Sequence, residues 1–380
     1  MSRSDLSVYR SALQELALKG RRRSLVGRAG IDFTSNDYLG LANSERLRGA
    51  VQAALARGTP VGAGGSRLLR GNVPEHEDLE AHASAFFHSE RAIYFGSGYV
   101  ANYALLSTLP QRGDLLVLDS LVHASAHDGA RAGRAQVTYA AHNNVDAFDA
   151  EISRWRAGGG RGRVWIGIES LYSMDGDKAP LEDLTSLAER HEAMIMVDEA
   201  HATGVYGPQG RGLSSDIEGR ENVVVLHTCG KALGGSGALV TGPRVLGDFL
   251  INRCRPFIYA TAPSPLMAVA ALAALKILKA EPERQRRLAR LVLHADELAR
   301  SRGFVSSGSH ILPIIVGEDV KTVALAAALQ RRGFDVRALR PPSVPEGTAR
   351  LRISITLNVD ELAIEGLFHV LAEEWRNADL

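Results

Sequence analysis

Two short stretches hold residue types that can act together chemically: Val197-Asp198-Glu199-Ala200-His201 and Leu226-His227-Thr228-Cys229-Gly230-Lys231. Each follows an apolar run, Ala193-Met194-Ile195-Met196 in one case and Val223-Val224-Val225 in the other, of the kind that forms a buried strand in a parallel sheet. An Asp closing one strand and a Lys just past another can meet at one edge of such a sheet. The amine can hold an aldehyde as a Schiff base, and the carboxylate can pair with a protonated ring nitrogen. Together they suit pyridoxal phosphate chemistry. A lone lysine is usually a solvated charge; here a buried strand precedes Lys231 and glycines flank it, leaving room for a ring against the backbone. Burial near other positive groups would lower the lysine's pKa and fit it for proton abstraction. His201 can reach the ring's phenolic oxygen or the Schiff base.

Other polar groups fall just past strands. Gly96-Ser97-Gly98-Tyr99 follows the run Ala92–Phe95 and opens a helix, whose first N–H groups form an anion site suited to a phosphate. The hydroxyl of Thr228 is a second donor. His123 follows another strand and offers a flat imidazole to stack on a cofactor ring, and Ser173 follows a third. Open α/β sheets bind ligands at this edge, the carboxyl ends of the strands. Arg352 lies on a later strand, where alternation predicts Arg350 and Arg352 on one face and Leu351 and Ile353 on the other. Its guanidinium fork matches a carboxylate in bidentate geometry.

The elements that must position these groups are legible as periodic runs. Seven strands are predicted, Ala92–Phe95, Leu115–Leu118, Gln136–Tyr139, Val164–Ile168, Met194–Val197, Val223–Leu226 and Ala238–Val240, alternating with helices. This predicts an α/β fold: a seven-stranded, mostly parallel sheet with helices on both faces. The expected divisions are an N-terminal arm over 1–45, a large α/β domain over 46–280, and a smaller α+β domain over 281–380. The arm reads as an amphipathic helix, Leu6 to Leu18, running into Arg21-Arg22-Arg23. The last domain reads as a charged helix (Glu281 to Arg302), a strand (His310 to Val316), a helix (Val320–Arg332), a strand (Arg350–Ile355) and a final helix from Glu361 to Arg376.

Composition narrows the function classes. The 380 residues carry 44 Lys and Arg against 43 Asp and Glu, a net charge of +1, which argues against a dedicated nucleic-acid binder. No apolar run reaches the roughly 18 residues a membrane span needs. Met1-Ser2-Arg3-Ser4-Asp5 lacks the apolar core of a secretory signal. Two Cys, Cys229 and Cys254, provide neither a disulfide framework nor a metal-ligand spacing, so no metal is expected. The expectation is a cytoplasmic enzyme.

The ordered set Ser35-Asn36-Asp37-Tyr38-Leu39-Gly40, Gly62-Ala63-Gly64-Gly65-Ser66-Arg67, His123-Ala124-Ser125, Ser173-Met174-Asp175-Gly176, Asp198-Glu199-Ala200-His201-Ala202-Thr203-Gly204 and Thr228-Cys229-Gly230-Lys231 resembles the α-oxoamine synthases. These are pyridoxal phosphate enzymes of the fold-type I transferase class, and the resemblance spans nearly the whole chain. It implies that Lys231 carries the cofactor as an imine, Asp198 binds the pyridine nitrogen, and His123 stacks on the ring. It further implies that His201 and Ser173 contact the cofactor, that Gly98, Tyr99 and Thr228 help hold it, and that Thr261 reaches the phosphate of a neighbouring subunit in a homodimer. Arg352 would take an amino-acid carboxylate, while Arg21, Asn36 and Ser343 would line an acyl channel.

Within the family, Gly64–Asn72 and Arg340–Arg352 resemble the branch that condenses L-alanine with a pimeloyl thioester on coenzyme A or an acyl carrier protein. Ser343 stands where that branch is expected to have Thr, and Cys229 where relatives often have Phe or Leu. Glycine C-acetyltransferase, an aminotransferase and a non-catalytic scaffold remain as alternatives.

Overall fold

The computed structural model describes residues 6–378. Met1–Asp5, the stretch read above for a secretory signal, lies outside the described residues. In chain order the strands are β1 (Ile31–Asp32), β2 (Arg91–Phe95), β3 (Leu115–Asp119), β4 (Gln136–Ala140), β5 (Val164–Glu169) and β6 (Met194–Asp198). They continue as β7 (Val223–Thr228), β8 (Ala238–Gly242), β9 (Ile311–Gly317), β10 (Phe334–Asp335), β11 (Arg337–Leu339) and β12 (Ala349–Ser354). The helices are α1 (Ser7–Leu18), α2 (Glu45–Ala56), α3 (Pro74–Phe86), α4 (Gly98–Thr108), α5 (Ala124–Ala132), α6 (Val145–Ala157) and α7 (Leu181–Arg190). After these come α8 (Arg244–Arg253), α9 (Arg255–Ile258), α10 (Pro265–Ala280), α11 (Glu283–Ser301), α12 (Asp319–Arg331) and α13 (Glu361–Asn377).

The chain divides into two compact units. The large unit comprises Asp37–Ser173 and Asp177–Arg286; the small unit comprises the segment up to Asn36, Met174–Gly176 and the stretch from Arg287 onward. The division therefore falls inside α11.

The large unit is built on a seven-stranded sheet in the order β2-β8-β7-β6-β5-β3-β4. Only β8 runs against its neighbours β2 and β7; every other pair is parallel. All residues of β3, β5 and β7 are buried, so both faces of the sheet are covered, as continuous apolar strands require. One core runs through it, from Ile93 on β2 through Val117, Ile166, Ile195 and Val225 to Val240 on β8. The parallel strands all present their carboxyl ends to one edge, and the segments that follow them carry the groups described below.

In the small unit β1 pairs in parallel with β10, and β11, β12 and β9 form an antiparallel sheet. All six residues of β12 are buried, Arg350 and Arg352 as well as Leu351 and Ile353, so neither face is a solvent face. The buried guanidinium groups are tolerated because each has partners: Arg350 pairs with Asp175, and Arg352 Nη1 donates to Asn36 Oδ1 at 3.0 Å and Ser354 Oγ at 2.9 Å. Among the described residues no helix is long and apolar enough to cross a membrane.

Candidate active site

β6 ends at Asp198 and β7 at Thr228, and the two are parallel neighbours, so both residues emerge at the same edge of the sheet. The turn after β7 carries Lys231, whose Nζ lies 2.6 Å from His201 Nε2. On the other side of the imidazole, His201 Nδ1 lies 2.6 Å from the hydroxyl of Tyr38, a fully buried residue. The ring is thus held at both nitrogens. Asp198 Oδ1 accepts from the Ala200 N–H at 2.8 Å and Oδ2 from Asn102 Nδ2 at 2.6 Å. The first bond shapes the turn that leads to His201; the second ties β6 to α4.

His123 caps the N-terminus of α5, its Nδ1 accepting from the Ser125 N–H at 3.2 Å. Asn102 also reaches Ser125 Oγ, at 3.2 Å, so a hydrogen-bonded chain joins His123 to Asp198. Burial holds the His123 imidazole below its ordinary value, against the opposing pull of Asp198.

Glu169 is the residue that sequence reasoning missed. It ends β5 and is the register partner of Asp198 on β6. Its Oε2 accepts from the Ser173 N–H at 3.2 Å, while its buried Oε1 has no hydrogen-bond partner among the described residues. Burial, and then the charge of Asp198, push this carboxyl up to about 8, with Lys231 acting the other way. The signal available in the sequence was an acidic residue closing an otherwise apolar strand.

The Ser97 side chain caps α4, accepting from the Val100 N–H at 3.2 Å. A Cβ at Gly98 would lie 3.4 Å from Thr228 Oγ1, so the Thr228 hydroxyl faces the start of α4. Helix N–H groups and a hydroxyl converging on one spot are the donor set a phosphate needs. Tyr99 contributes backbone there: its hydroxyl is taken by Asp128, and its ring stands edge-on to His123 with centroids 6.3 Å apart. Thr261 is exposed in the turn between α9 and α10. Cys229, two residues before Lys231, is fully buried, and burial pushes its thiol up to about 12.

The remaining expected residues belong to the small unit. Arg352 and Asn36 are brought together there by the bond described above. Arg21, expected along an acyl channel, commits its guanidinium to Asp319 and Glu346, both at 2.5 Å. Ser343 is exposed and accepts from Arg23 Nη2 at 3.3 Å.

Residues 28–367 match the family model for aminotransferase class I and II. A protein of Anaeromyxobacter sp. (strain K) named 8-amino-7-oxononanoate synthase is 40% identical over 388 residues, covering 98% of this chain and 96% of its own length. Among solved structures, a lysine-to-alanine variant of serine palmitoyltransferase from S. paucimobilis, with a bound PLP-myriocin aldimine, superposes with a TM-score of 0.91 at 26% identity. That match covers 99% of this chain and 100% of the other. The 8-amino-7-oxononanoate synthase of Francisella tularensis gives a TM-score of 0.76 at 28% identity, covering 92% of this chain and 99% of the other.

Proposed function

The chain belongs to the aminotransferase class I and II family of pyridoxal phosphate-dependent enzymes, and on that premise we propose that it joins L-alanine to a pimeloyl thioester. The new carbon–carbon bond links the alanine α-carbon to the pimeloyl carbonyl carbon. The thiol and carbon dioxide leave, and the product is 8-amino-7-oxononanoate, a precursor in biotin biosynthesis. The observation that carries the substrate reading is the 40% identity to a synthase of that name across 98% of this chain.

The residues present fit the cofactor. Lys231 supplies the amine, Asp198 the carboxylate for the pyridine nitrogen, His123 a ring to lie against it, and the start of α4 with Thr228 the phosphate donors. The unpartnered Oε1 of Glu169 marks a buried polar position in the same group that still lacks a hydrogen bond. When bound, pyridoxal phosphate supplies an electron sink for the negative charge that develops at the amino acid's α-carbon.

The chain's own groups do the rest. Lys231 Nζ takes the α-proton and later returns one to the same carbon, and His201, bonded to it at 2.6 Å, keeps the amine aimed. Asp198 is held in place by Asn102 and the Ala200 N–H, so it meets a cationic ring nitrogen without reorganising. Arg352, fixed by Asn36 and Ser354, is the candidate for the amino-acid carboxylate. Ser343 and Arg21 are the candidates for the acyl donor.

A second reading has its own support. The backbone of serine palmitoyltransferase superposes more closely than that of the Francisella synthase, which favours serine and a longer acyl donor. Product analysis with alanine, glycine and serine, each against acetyl, pimeloyl and palmitoyl thioesters on coenzyme A and on carrier protein, separates the readings. The expected result is turnover with alanine and pimeloyl donors above all others. Lys231→Ala should lack both the visible absorbance of the lysine-bound cofactor and turnover; an active Lys231→Ala protein would overturn the chemistry altogether.

A further inference from the structure

We infer that His142 is a positioning residue: by bridging Asp119 and Asp177 it locks the loop that ends in His123 to the loop that holds Ser173. His142 follows β4 and takes no part in the chemistry described above. Its Nδ1 lies 2.9 Å from Asp119 Oδ1 and its Nε2 2.7 Å from Asp177 Oδ2. Ionised carboxylates only accept hydrogen bonds, so both ring nitrogens must donate, and the ring is an imidazolium. Burial works against that charge, yet the hydrogen bonds to Asp119 and Asp177 outweigh it and push the imidazolium up to about 10.

Three loops meet at this ring. Asp119 ends β3, four residues before His123; its Oδ1 also accepts from the Leu121 N–H at 2.8 Å, which shapes the turn into α5. Asn143, beside His142, donates its N–H to Asp119 Oδ2 at 2.8 Å and its amide to Asp177 Oδ2 at 2.6 Å. Asp177 stands four residues after Ser173, and the Tyr172 N–H donates to the Asp177 carbonyl at 2.9 Å. Tyr172 then closes the group, its ring edge-on to His142 with centroids 4.4 Å apart. The ring acts on His123 and Ser173 each through an aspartate, and a neutral side chain with one donor end cannot serve both.

The test uses the full chain without cofactor or substrate, so its outcome is separate from the alanine–pimeloyl reading on whose site it rests. Hydrogen exchange of His142→Gln should accelerate in peptides covering 119–127 and 170–180 together, by about tenfold or more, the factor that losing a charge-assisted hydrogen bond implies. Peptides from β6 and β7 should keep the parent's rates. Pyridoxal phosphate should bind His142→Gln more weakly, while the thermal midpoint stays near the parent's. Acceleration across the whole chain would show a merely structural role and overturn the inference, as would acceleration in neither loop or in one alone. Should His142→Gln not fold, Asp177→Asn, which weakens the bonds that His142 and Asn143 make to that carboxylate and leaves those to Asp119 in place, should speed exchange in 170–180 and leave 119–127 at the parent's rate; unchanged rates in both would sink the idea.

Discussion

Glu169 and Asp198 occupy the same rung of the parallel β5–β6 ladder, so two carboxyl groups stand side by side at the catalytic edge of the sheet. Asp198 has the Asn102 amide and the Ala200 N–H as donors; Glu169 meets the backbone of Ser173 and His123, and its buried Oε1 has no hydrogen-bond partner among the described residues. Burial beside the Asp198 carboxylate makes Glu169 keep its proton to higher pH than an ordinary carboxyl does.

This shift gives a pH dependence of stability with a definite sign. The Glu169 carboxyl titrates near 4.5 when unfolded and near 8 when folded. Between those values the folded state holds the extra proton, so this group's contribution to stability is complete below the lower value and is lost as pH rises through the upper one. Glu169→Gln cannot titrate. The thermal midpoint of the cofactor-free variant should fall less steeply between pH 5 and 8 than the parent's (about that window). Superimposable curves would refute the assignment.

Asp198→Asn should keep bound cofactor and lose turnover by on the order of 10²-fold or more, because a neutral amide no longer favours a cationic ring nitrogen. The variant also places an amide against the Asn102 amide, so Asn102 must rotate to accept. Cofactor stoichiometry measured beside kcat checks both halves: loss of cofactor with loss of rate would mean that Asp198 serves binding alone.

Gly234, just past Lys231, has φ +64, and a Cβ there would lie 2.4 Å from the carbonyl carbon of Leu41 and 2.5 Å from the Ala42 nitrogen. Backbone cannot yield as a side-chain tip can, so Gly234→Ala should cost roughly 3 kcal/mol or more, or prevent folding. Gly230 is the control, since a Cβ there meets nothing nearer than 3.9 Å. Gly230→Ala should unfold in urea within about 1 kcal/mol of the parent. Equal midpoints for the two variants would show that the close approach of the two turns is not needed.

His227 is completely buried, with its ring stacked 3.7 Å from Phe87. Its Nε2 lies 2.9 Å from Glu218 Oε1 and its Nδ1 2.8 Å from Thr203 Oγ1. His227→Leu leaves the buried Glu218 carboxyl with only the Thr241 hydroxyl, at a cost of roughly 3–5 kcal/mol. Replacing Glu218 by Leu in the same chain should recover much of that, because no orphaned acid remains. Urea denaturation of both variants decides it; a double variant no more stable than the single one would count against this account.

Most of the seven strands of the large sheet were legible as short apolar runs ending at a turn, while β4 (Gln136–Ala140) is more polar and only partly buried. Their order was not legible, since pairing such as that of β2 with β8 depends on contacts far apart in sequence. Lys231, Asp198 and His201 stood out because a charged or polar group follows a buried strand. Glu169 did not, because its meaning comes from Asp198 on the neighbouring strand. Alternation along β12 does not by itself reveal burial, and all six of its residues are buried, Arg350 and Arg352 included. The ion pairs of Arg21 were not legible, because its carboxylate partners Asp319 and Glu346 lie near the other end of the chain.

The burial of Cys229 has a chemical consequence for an enzyme handed activated acyl groups. A thiolate two residues from Lys231 would compete with the amino acid for the thioester and leave the protein acylated on sulfur. Packed away from solvent and kept as the neutral thiol, Cys229 is a poor nucleophile in that exchange, so self-acylation is suppressed and alkylating reagents should leave the enzyme unharmed.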